Sequence, residues 1–339
     1  MGKKIGNYTV KFENEPRIVS SAGICGKKES QGPLKDEFDK IFEDTTMGES
    51  SWEKAESRLQ AEAVKTALEK GNLAVEDINY IFAGDLLNQC MSSAFGLRGL
   101  GIPFLGQFGA CSTMAQTLFL AATTIEAGIS DLSVAVTSSH FCSSERQFRF
   151  PLNYGGQRTP TAQWTVTGSG AAVVGKKSSG EAGPIINMAT VGVITDLGIY
   201  DANNMGAAMA PAAAKTVTAF LDDTQTNPSD YDLILTGDLG EVGSNLFQEL
   251  MMKQGIYIDE NYDDCGLMIY FKEAQDVHAG GSGCGCSASV LCSMIMNKIK
   301  SHELNNVLFV ATGALMSPTS SQQGESIPGV AHLINITSE

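Results

Sequence analysis

The sequence predicts an α/β protein made of two similar halves, and two pairs of matching segments support this prediction. Residues 77–86 (DINYIFAGDL) align with residues 230–239 (DYDLILTGDL), an offset of 230 − 77 = 153. A helical stretch opening at Cys111 corresponds to one opening at Cys286, an offset of 286 − 111 = 175. In both halves a short apolar run, typical of a buried strand, alternates with a helical stretch. This alternation favours mostly parallel sheets with right-handed crossovers.

The repeat divides the chain of 339 residues into a first half, residues 1–165, and a second half, residues 166–339. At about 100–200 residues per domain, each half has the size of one domain. Residues 29–50 are polar and carry Gly, Pro and several acids, so we expect a surface insertion there.

The remaining elements follow in chain order. In the first half we predict helices over 53–70 and 111–128 and strands over 77–86, 103–108 and 132–139. The glycine-rich run 168–175 (GSGAAVVG) indicates a buried strand packed close to a neighbour, and 176–183 a turn. We expect residues 195–211 to form a loop, because they are rich in Gly and Asn. Helices over 211–223 and from Cys286 to Glu303, and strands over 230–239 and 304–312, complete the second half.

Composition excludes several classes of function. The chain is 43% hydrophobic and carries 23 − 38 = −15 net charge, which argues against binding to nucleic acid or to anionic lipid through a basic surface. Residues 1–12 lack the apolar run of a secretion signal, and no stretch approaches the roughly 18 apolar residues that span a bilayer. Eight cysteines without such a signal indicate free thiols in a reducing compartment, and their spacing does not predict a metal site.

Cys111 is the first candidate for chemistry because it stands where a predicted strand meets a predicted helix. It lies in the motif 109–113 (GACST), directly after an apolar run. A thiol at a helix N-terminus feels the positive end of the helix dipole, which favours the nucleophilic thiolate. The alternative is a small apolar residue buried in a tight strand–helix turn.

Asp85 and Asp238 occupy equivalent places in the two halves, each directly after a predicted strand. Ligands gather at the carboxyl ends of strands in open α/β sheets. The two acids could act in proton transfer, bind a cation, or cap the next helix by accepting amide hydrogen bonds. His140 also follows a predicted strand, and its ring can both donate and accept hydrogen bonds, which would suit a functional site there.

Three arginines, Arg146, Arg149 and Arg158, are candidates for recognising a carboxylate with the guanidinium fork. Because acids are plentiful, we expect at least two of the three to be paired with acids instead. His278 precedes a glycine-rich run, 279–286 (AGGSGCGC), whose backbone could approach a ligand closely or let two helices meet.

Together these motifs resemble the thiolase-like superfamily and, within it, the stage V sporulation protein AD family of spore-forming bacteria. The resemblance covers nearly the whole chain. Its main segments are 83–89 (AGDLLNQ), 108–113 (FGACST), 137–140 (TSSH), 145–149 (ERQFR), 165–171 (TVTGSGA), 264–270 (DCGLMIY), 279–288 (AGGSGCGCSA) and 310–315 (VATGAL). The resemblance implies a five-layered α-β-α-β-α fold of two duplicated halves, and a homodimer.

The resemblance also implies a ligand and a cellular location. It implies binding of dipicolinic acid (pyridine-2,6-dicarboxylate), free or as its calcium chelate, and a role in its uptake into the developing spore. The implied partners are membrane proteins of the same sporulation operon, at the periphery of the spore inner membrane, and calcium would be carried by the ligand. Because a net charge of −15 repels a dianion but not a neutral chelate, we expect affinity to rise with Ca²⁺.

Enzymes of this superfamily use a nucleophilic Cys with a His and a second His, Asn or Cys, and the chain departs from that pattern. Cys111 matches the nucleophile, but Asp238 stands where many condensing enzymes carry His and thiolases carry Asn. Residues 278–283 (HAGGSG) are one residue shorter than the thiolase motif, which could displace His278. We therefore expect a catalytic pocket reused for binding.

The resemblance and the predicted strand ends together give a candidate ligand site. Its residues are Cys111, His140, Asp85, Asn88, Asp238, Gly281 and Ser282, with an arginine from 146, 149 or 158 facing a carboxylate. One alternative is an acyltransferase of the thiolase or ketoacyl-synthase type, acting through Cys111. Another is a ligand-free scaffold for membrane partners.

Overall fold

The computed structural model describes residues 2–148, 158–177, 183–258 and 260–339. The strands are β1 (Lys3–Ile5), β2 (Thr9–Lys11), β3 (Arg17–Gly26), β4 (Lys40–Phe42), β5 (Tyr80–Gly84), β6 (Phe104–Gln107), β7 (Leu132–Ser139), β8 (Trp164–Thr165), β9 (Gly168–Gly175), β10 (Ile185–Val191), β11 (Leu233–Thr236), β12 (Tyr262–Asp264), β13 (Gly281–Ser282), β14 (Asn306–Ala314) and β15 (Gly329–Thr337).

The helices of the same ranges include two long pairs that correspond between the halves. They are α1 (Trp52–Lys70), α2 (Met91–Leu97), α3 (Thr113–Glu126), α4 (Phe141–Phe148), α5 (Met205–Thr224), α6 (Gly240–Lys253), α7 (Cys265–Met268), α8 (Cys284–Val290), α9 (Met296–Lys300) and α10 (Pro318–Gln322). A π-helical turn (Leu291–Ile295) joins α8 to α9. Helix α1 corresponds to α5, and α3 corresponds to the α8–α9 run.

The sheet order shows the duplication directly. The first half has the order β6-β5-β7-β9-β3 and the second has β12-β11-β14-β15-β10, with the same strand directions in both. The two blocks meet where Arg17 of β3 pairs with Ile185 of β10. In each block four of the five strands run in the same direction and only the fourth in this order, β9 or β15, is antiparallel to both of its neighbours, so the sheets are mostly parallel as predicted.

The halves stack into five layers because each sheet buries both faces. Helix α1 packs on the outer face of the first sheet, and α5 with α6 on the outer face of the second. Helix α3 and the α8–α9 run fill the space between the sheets, where their apolar side chains form the central core. The matched positions of α1 and α5 are all buried: Val64, Ala67, Leu68, Val217, Phe220 and Leu221.

Strand β9 confirms the predicted glycine-rich buried strand, and its eight residues are all buried. It lies between β3 and β7, so its hydrogen bonds join it to the first half. A division of the chain at 165/166 would separate β9 from both neighbours. The change of sheet falls between β9 and β10. The predicted turn at 176–183 lies mostly outside the described residues.

Two segments differ from the sequence prediction. Helix α5 begins at Met205, inside the predicted loop 195–211, because Asn204 caps it by accepting a hydrogen bond from the Ala207 amide. Pro211 is therefore inside the helix rather than at its start. The insertion 29–50 is not wholly superficial, since Glu29, Phe38 and Met47 are buried.

No helix in the described part of the chain is long and apolar enough to cross a membrane.

Candidate functional site

A cavity of about 320 Å³ opens between the two halves, beside the start of α3. Its wall combines apolar side chains with a few polar ones: Leu86, Phe108, Ala110, Cys111, Ser144, Glu145, Phe148, Ala162, Gln163, Thr165, Ala202, Asn203, Met205, Ser282, Ala314, Leu315, Met316 and Ser317. Glu145 is the only charged residue among the described residues of this wall. Loops at the ends of β5, β7 and β14 thus meet in one concave site, as open α/β sheets favour.

Cys111 lies at the edge of this cavity, held by a tight turn before α3. Ala110 adopts a left-handed φ of 52°, and the Ser112 amide donates to the Gly109 carbonyl at 3.2 Å. The Gly109 amide donates to the Thr113 hydroxyl at 3.1 Å, which closes the turn. Only 6% of Cys111 is exposed, and its side chain packs with Leu86 and Cys284.

Asp238 is the carboxylate whose charge acts most strongly on Cys111, and it is completely buried. Its carboxylate accepts hydrogen bonds from the Thr312 hydroxyl at 2.9 Å and the Gly283 amide at 2.8 Å. The Cys111 thiol is among the groups that lower the pKa of this carboxylate. Burial raises the pKa of Asp238 to about 6, because these hydrogen bonds offset only part of the desolvation.

Burial and the charge of Asp238 together determine the protonation state of the Cys111 thiol. Burial, and then the Asp238 charge, raise the pKa of Cys111 well above its ordinary value. The helix dipole at the start of α3 favours the thiolate by about 2 kcal/mol at most. Burial of the thiol and the charge of Asp238 both act against the dipole, so Cys111 is a thiol and not the thiolate that its place at a helix start predicted.

Of the three roles considered for Asp85 in the sequence analysis, the structure shows hydrogen bonds of the helix-capping kind. Its carboxylate accepts hydrogen bonds from the amides of Leu87 at 2.9 Å and Ser93 at 2.8 Å, and from the Ser93 hydroxyl at 2.6 Å. Asp85 is buried and is not among the described residues lining the cavity. Asn88 is exposed, and its backbone amide donates to the side-chain oxygen of Gln147. Asp85 therefore shapes the loop above the cavity, and Asn88 lies outside the lining.

His140 is fixed away from the cavity by two backbone groups. Its Nδ1 accepts a hydrogen bond from the Cys142 amide at 3.1 Å, so Nε2 carries the proton and donates to the Thr45 carbonyl at 2.8 Å. Burial lowers the pKa of His140, which keeps the ring neutral. The sequence analysis expected His140 beside a ligand, but the ring does not line the cavity. Its hydrogen bond to Thr45 instead holds the insertion that carries Thr45 against the first half.

The arginines largely follow the ion-pairing prediction. Arg146 pairs with Glu53 at 3.0 Å and lies over the Trp52 ring, and Arg158 pairs with Asp276 at 3.1 Å. Neither is among the described lining residues. Arg149 lies outside the described residues.

The glycine-rich run contributes Ser282 to the cavity wall, whereas Gly281 is not among the described lining residues. Strand β13 pairs with β8, and the Gly281 carbonyl accepts a hydrogen bond from Gln163 at 2.8 Å. His278 contacts the Thr159 carbonyl and Asp276 instead of the cavity. The shortened motif thus leaves this histidine outside the lining.

Several lining residues have no signal in the sequence. Gln163 lines the cavity while its side-chain amide donates to the Asp238 and Gly281 carbonyls at 2.7 and 2.8 Å. Phe148 and Met205 come from helix ends that only the tertiary fold brings together. Phe108 was detectable, because it belongs to the motif that carries Cys111.

Within the described ranges, no group of three or more His, Cys, Asp or Glu side chains is arranged to hold a metal ion.

Comparison with known proteins agrees with this architecture. The sequence profile of the stage V sporulation protein AD family matches residues 6–337. The stage V sporulation protein AD of Bacillus subtilis (strain 168) is 48% identical over 332 residues, covering 97% of this chain and 96% of that protein. At 12% identity, a single-residue variant of Xanthomonas campestris OleA superposes with a TM-score of 0.63, covering 98% of this chain and 100% of the other.

A second solved structure gives the same fold. The 3-oxoacyl-[acyl-carrier-protein] synthase III of Aquifex aeolicus VF5 has a TM-score of 0.57 at 12% identity, covering 95% of this chain and 99% of the other. The predicted thiolase-like fold is therefore confirmed, whereas these low identities carry no information on activity.

Proposed function

Because the chain belongs to the stage V sporulation protein AD family, it is a sporulation protein, and we propose that it binds dipicolinic acid in the cavity beside Cys111. The ligand binds free or as its calcium chelate, and the protein serves its uptake into the developing spore. The observation that supports this proposal most is the cavity itself, whose wall contains the protonated thiol of Cys111 and the aromatic side chains of Phe108 and Phe148.

The dimensions and lining of the cavity support a small aromatic ligand. Its volume of about 320 Å³ lies at the lower end of the range of about 300–1,000 Å³ for small-molecule sites. Phe108 and Phe148 offer ring faces for a flat heterocycle. Ser282, Asn203 and Gln163 supply polar atoms along the same wall.

Charge supports the chelate as one bound form. The described lining has one acid, Glu145, and no Lys, Arg or His to offset two ligand carboxylates. Calcium chelation neutralises the ligand, so the net charge of −15 does not oppose its approach. The free dianion would need a cation from elsewhere, and Arg149, outside the described residues, is the remaining candidate of the three arginines.

The Cys111–Asp238 pair supports binding over acyl transfer. A thioester-cleaving cysteine needs a neighbouring base or a lowered pKa. Here burial, and then the charge of Asp238, raise the pKa of the thiol, and no histidine is among the described lining residues. Incubation with acetyl-coenzyme A should leave Cys111 unmodified by mass spectrometry. Stable acylation with turnover would support the acyltransferase alternative.

We extend the proposal to the cellular setting that the family resemblance implies. The protein acts at the periphery of the spore inner membrane, beside membrane proteins of the same operon, and works as a homodimer. Co-purification of such a membrane protein without any dipicolinate binding would instead support the scaffold alternative.

Isothermal titration calorimetry with dipicolinate tests the proposed site. We expect the wild type to bind, with higher affinity when Ca²⁺ replaces EGTA. Phe148→Ala should weaken binding about tenfold, which corresponds to about 1.4 kcal/mol, because an aromatic wall is lost. Phe271→Ala is the control, since Phe271 is another partly exposed ring that does not line the cavity.

Three results would contradict parts of this proposal. Absence of binding both with Ca²⁺ and with EGTA would refute dipicolinate as the ligand. Equal loss of affinity in both variants would place the ligand elsewhere. Equal affinities with and without Ca²⁺ would refute the preference for the chelate and leave the cavity assignment intact.

A further inference from the structure

We infer that the side-chain oxygen of Gln163, Oε1, is a ligand of the calcium ion in the dipicolinate chelate. This inference rests on the proposed function and deepens it, because it names a residue that distinguishes the chelate from the free acid. It is carried by a buried acceptor atom on a residue of the cavity wall that has no hydrogen-bond partner among the described residues.

The orientation of the Gln163 amide is fixed by its nitrogen. Nε2 donates to the Asp238 carbonyl at 2.7 Å and to the Gly281 carbonyl at 2.8 Å. Because carbonyls only accept, the reversed amide would place Oε1 against two acceptors. Gly240 packs against the same group, since a Cβ atom there would lie 2.8 Å from Nε2. The fold therefore holds the amide in one orientation and leaves Oε1 as its remaining polar atom.

Oε1 lacks the donor that a buried acceptor requires. Gln163 is only 7% exposed, and no described residue donates a hydrogen bond to Oε1. Of the described residues with a buried, unpartnered side-chain oxygen or nitrogen, Ser144 and Gln163 line the cavity. Such atoms are rare in native proteins because they lower stability, and they point to a bound water, ion or ligand. The place of Gln163 in the wall assigns this role to the occupant of the cavity.

The acceptor character of Oε1 selects the part of the ligand that it can bind. Two carboxylates and a pyridine nitrogen are the polar groups of free dipicolinate at neutral pH, and all three are acceptors. In the chelate they bind calcium, which takes about 6–8 ligands and accepts Gln side-chain oxygens. The calcium ion is thus the group that suits Oε1, whereas the Ser144 hydroxyl can donate to a carboxylate.

The charge of the wall favours the same assignment. The described lining has one acid, Glu145, and no Lys, Arg or His. A cation is therefore attracted to this wall, and a bare carboxylate is not.

Calorimetric titration with dipicolinate at neutral pH tests the role of Gln163. The calcium preference is the dissociation constant with EGTA divided by the one with excess Ca²⁺. Gln163→Met keeps the length of the side chain and removes the oxygen. It should lower the calcium preference about tenfold, as expected when one contact to a charged group is lost. A purely structural role of Gln163 would change both constants by the same factor and leave the preference unchanged.

Gln60→Met is the matched control. Gln60 is also buried, and its Nε2 donates to the Gly84 carbonyl at 2.9 Å and to the Ser138 hydroxyl at 3.2 Å. Its Oε1 also lacks a described partner, but Gln60 is not among the described lining residues. The calcium preference of this variant should equal that of the wild type.

Gln163→Glu tests the opposite change and serves if the Met variant does not fold, as judged by circular dichroism. A carboxylate binds calcium more strongly than an amide oxygen does and repels the free dianion. This variant should therefore raise the calcium preference. An unchanged or lower preference in the folded Glu variant would contradict the inference.

Terbium in place of calcium reports the coordination directly. Luminescence lifetimes of its dipicolinate chelate in H₂O and D₂O count the waters bound to the metal. On the wild type the chelate should carry at least one water fewer than in solution, because Oε1 takes the place of that water. Gln163→Met should restore it.

An unchanged calcium preference in folded Gln163→Met would overturn the inference and leave the proposed site intact. An equal fall in Gln60→Met would do the same, since it would show a general effect of losing a buried amide. A terbium chelate that keeps all its waters on the wild type would overturn the inference whether or not the variants fold. Absence of dipicolinate binding by the wild type would instead refute the proposed ligand, and this inference with it.

Discussion

Glu56 is a completely buried carboxyl group on the inner face of α1. It accepts hydrogen bonds from the hydroxyls of Ser138, at 3.2 Å, and Ser143. Burial, and then the charge of Asp85, raise its pKa from 4.5 to about 8. The folded protein therefore holds a proton here that the unfolded chain releases, and this proton links the stability of the core to pH.

The sign of that linkage is set by the direction of the pKa shift. Below about pH 4.5 both states are protonated, and between 4.5 and 8 only the folded state is. The free energy of unfolding therefore falls as pH rises through this window. Glu56→Gln is neutral at every pH and can still serve both hydroxyls. We expect its stability advantage over the wild type to grow from pH 5 to pH 8.5 by on the order of a few kcal/mol.

Urea unfolding of wild type and variant across this range measures the difference. Glu62→Gln is the control, because Glu62 lies on the same helix and its bond to Lys40 lowers its pKa. That substitution should destabilise the protein above about pH 4.5 and not below it. A Glu56→Gln difference that stays constant with pH would contradict the assigned protonation state.

The sequence analysis identified Cys111 and Asp238 as site residues because each lies at the end of a predicted strand in a segment that the two halves share. It missed the anchoring role of His140, because the partner carbonyl belongs to Thr45, 95 residues away in an insertion. Gln163 was likewise undetectable, since its contacts to Asp238 and Gly281 are set by the meeting of two halves.

At the scale of elements, the close packing of α8 on β9 positions one side of the cavity. A Cβ atom on Gly170 would lie 2.1 Å from the Ala288 carbonyl oxygen. The Thr137 hydroxyl also donates to the Cys284 carbonyl at 2.9 Å, which ties β7 to the start of α8. Only a glycine at position 170 allows this approach, so the small residues of β9 determine how closely α8 packs on that strand.

Gly170→Ala should therefore destabilise the protein by about 1–3 kcal/mol, the typical cost of overpacking a core. Gly99→Ala is the matched control, because a Cβ atom there meets nothing within 4 Å. We expect that control to be neutral or stabilised by up to about 1 kcal/mol. Thermal unfolding measures both, and equal effects of the two substitutions would show that α8 can move away from β9 without cost.

Periodicity and glycine content predicted α1, α3, β7 and β9 closely, because these elements have uninterrupted apolar patterns. The start of α5 was missed because Gly206 and Pro211 usually end a helix. Here Gly206 lies against Gly243 of α6, where a Cβ atom would approach within 3.0 Å. The glycine serves helix–helix packing, which a single sequence does not distinguish from loop formation.

At the scale of the whole molecule, strand β6 leaves one end of the sheet exposed. Among the described strands it pairs with β5 alone, and Phe104 and Leu105 on it are 40% and 48% exposed. Phe95 and Phe108 beside it are also exposed, at 57% and 54%. Unpaired strand edges with exposed apolar side chains favour association. This surface is our candidate for the homodimer interface that the family resemblance implies.

Leu105→Asp should abolish the proposed dimer, because it places a charge at the centre of the proposed interface. Sedimentation equilibrium at micromolar concentration measures the change, with Ile129→Asp as the control, since Ile129 is exposed at 62% away from β6. A monomeric wild type, or a Leu105→Asp variant that remains dimeric, would contradict this interface.

Since Phe108 belongs to both this surface and the cavity wall, dimerisation would also cover one side of the ligand site. A monomeric variant should therefore bind dipicolinate more weakly, whereas Ile129→Asp should bind it as the wild type does.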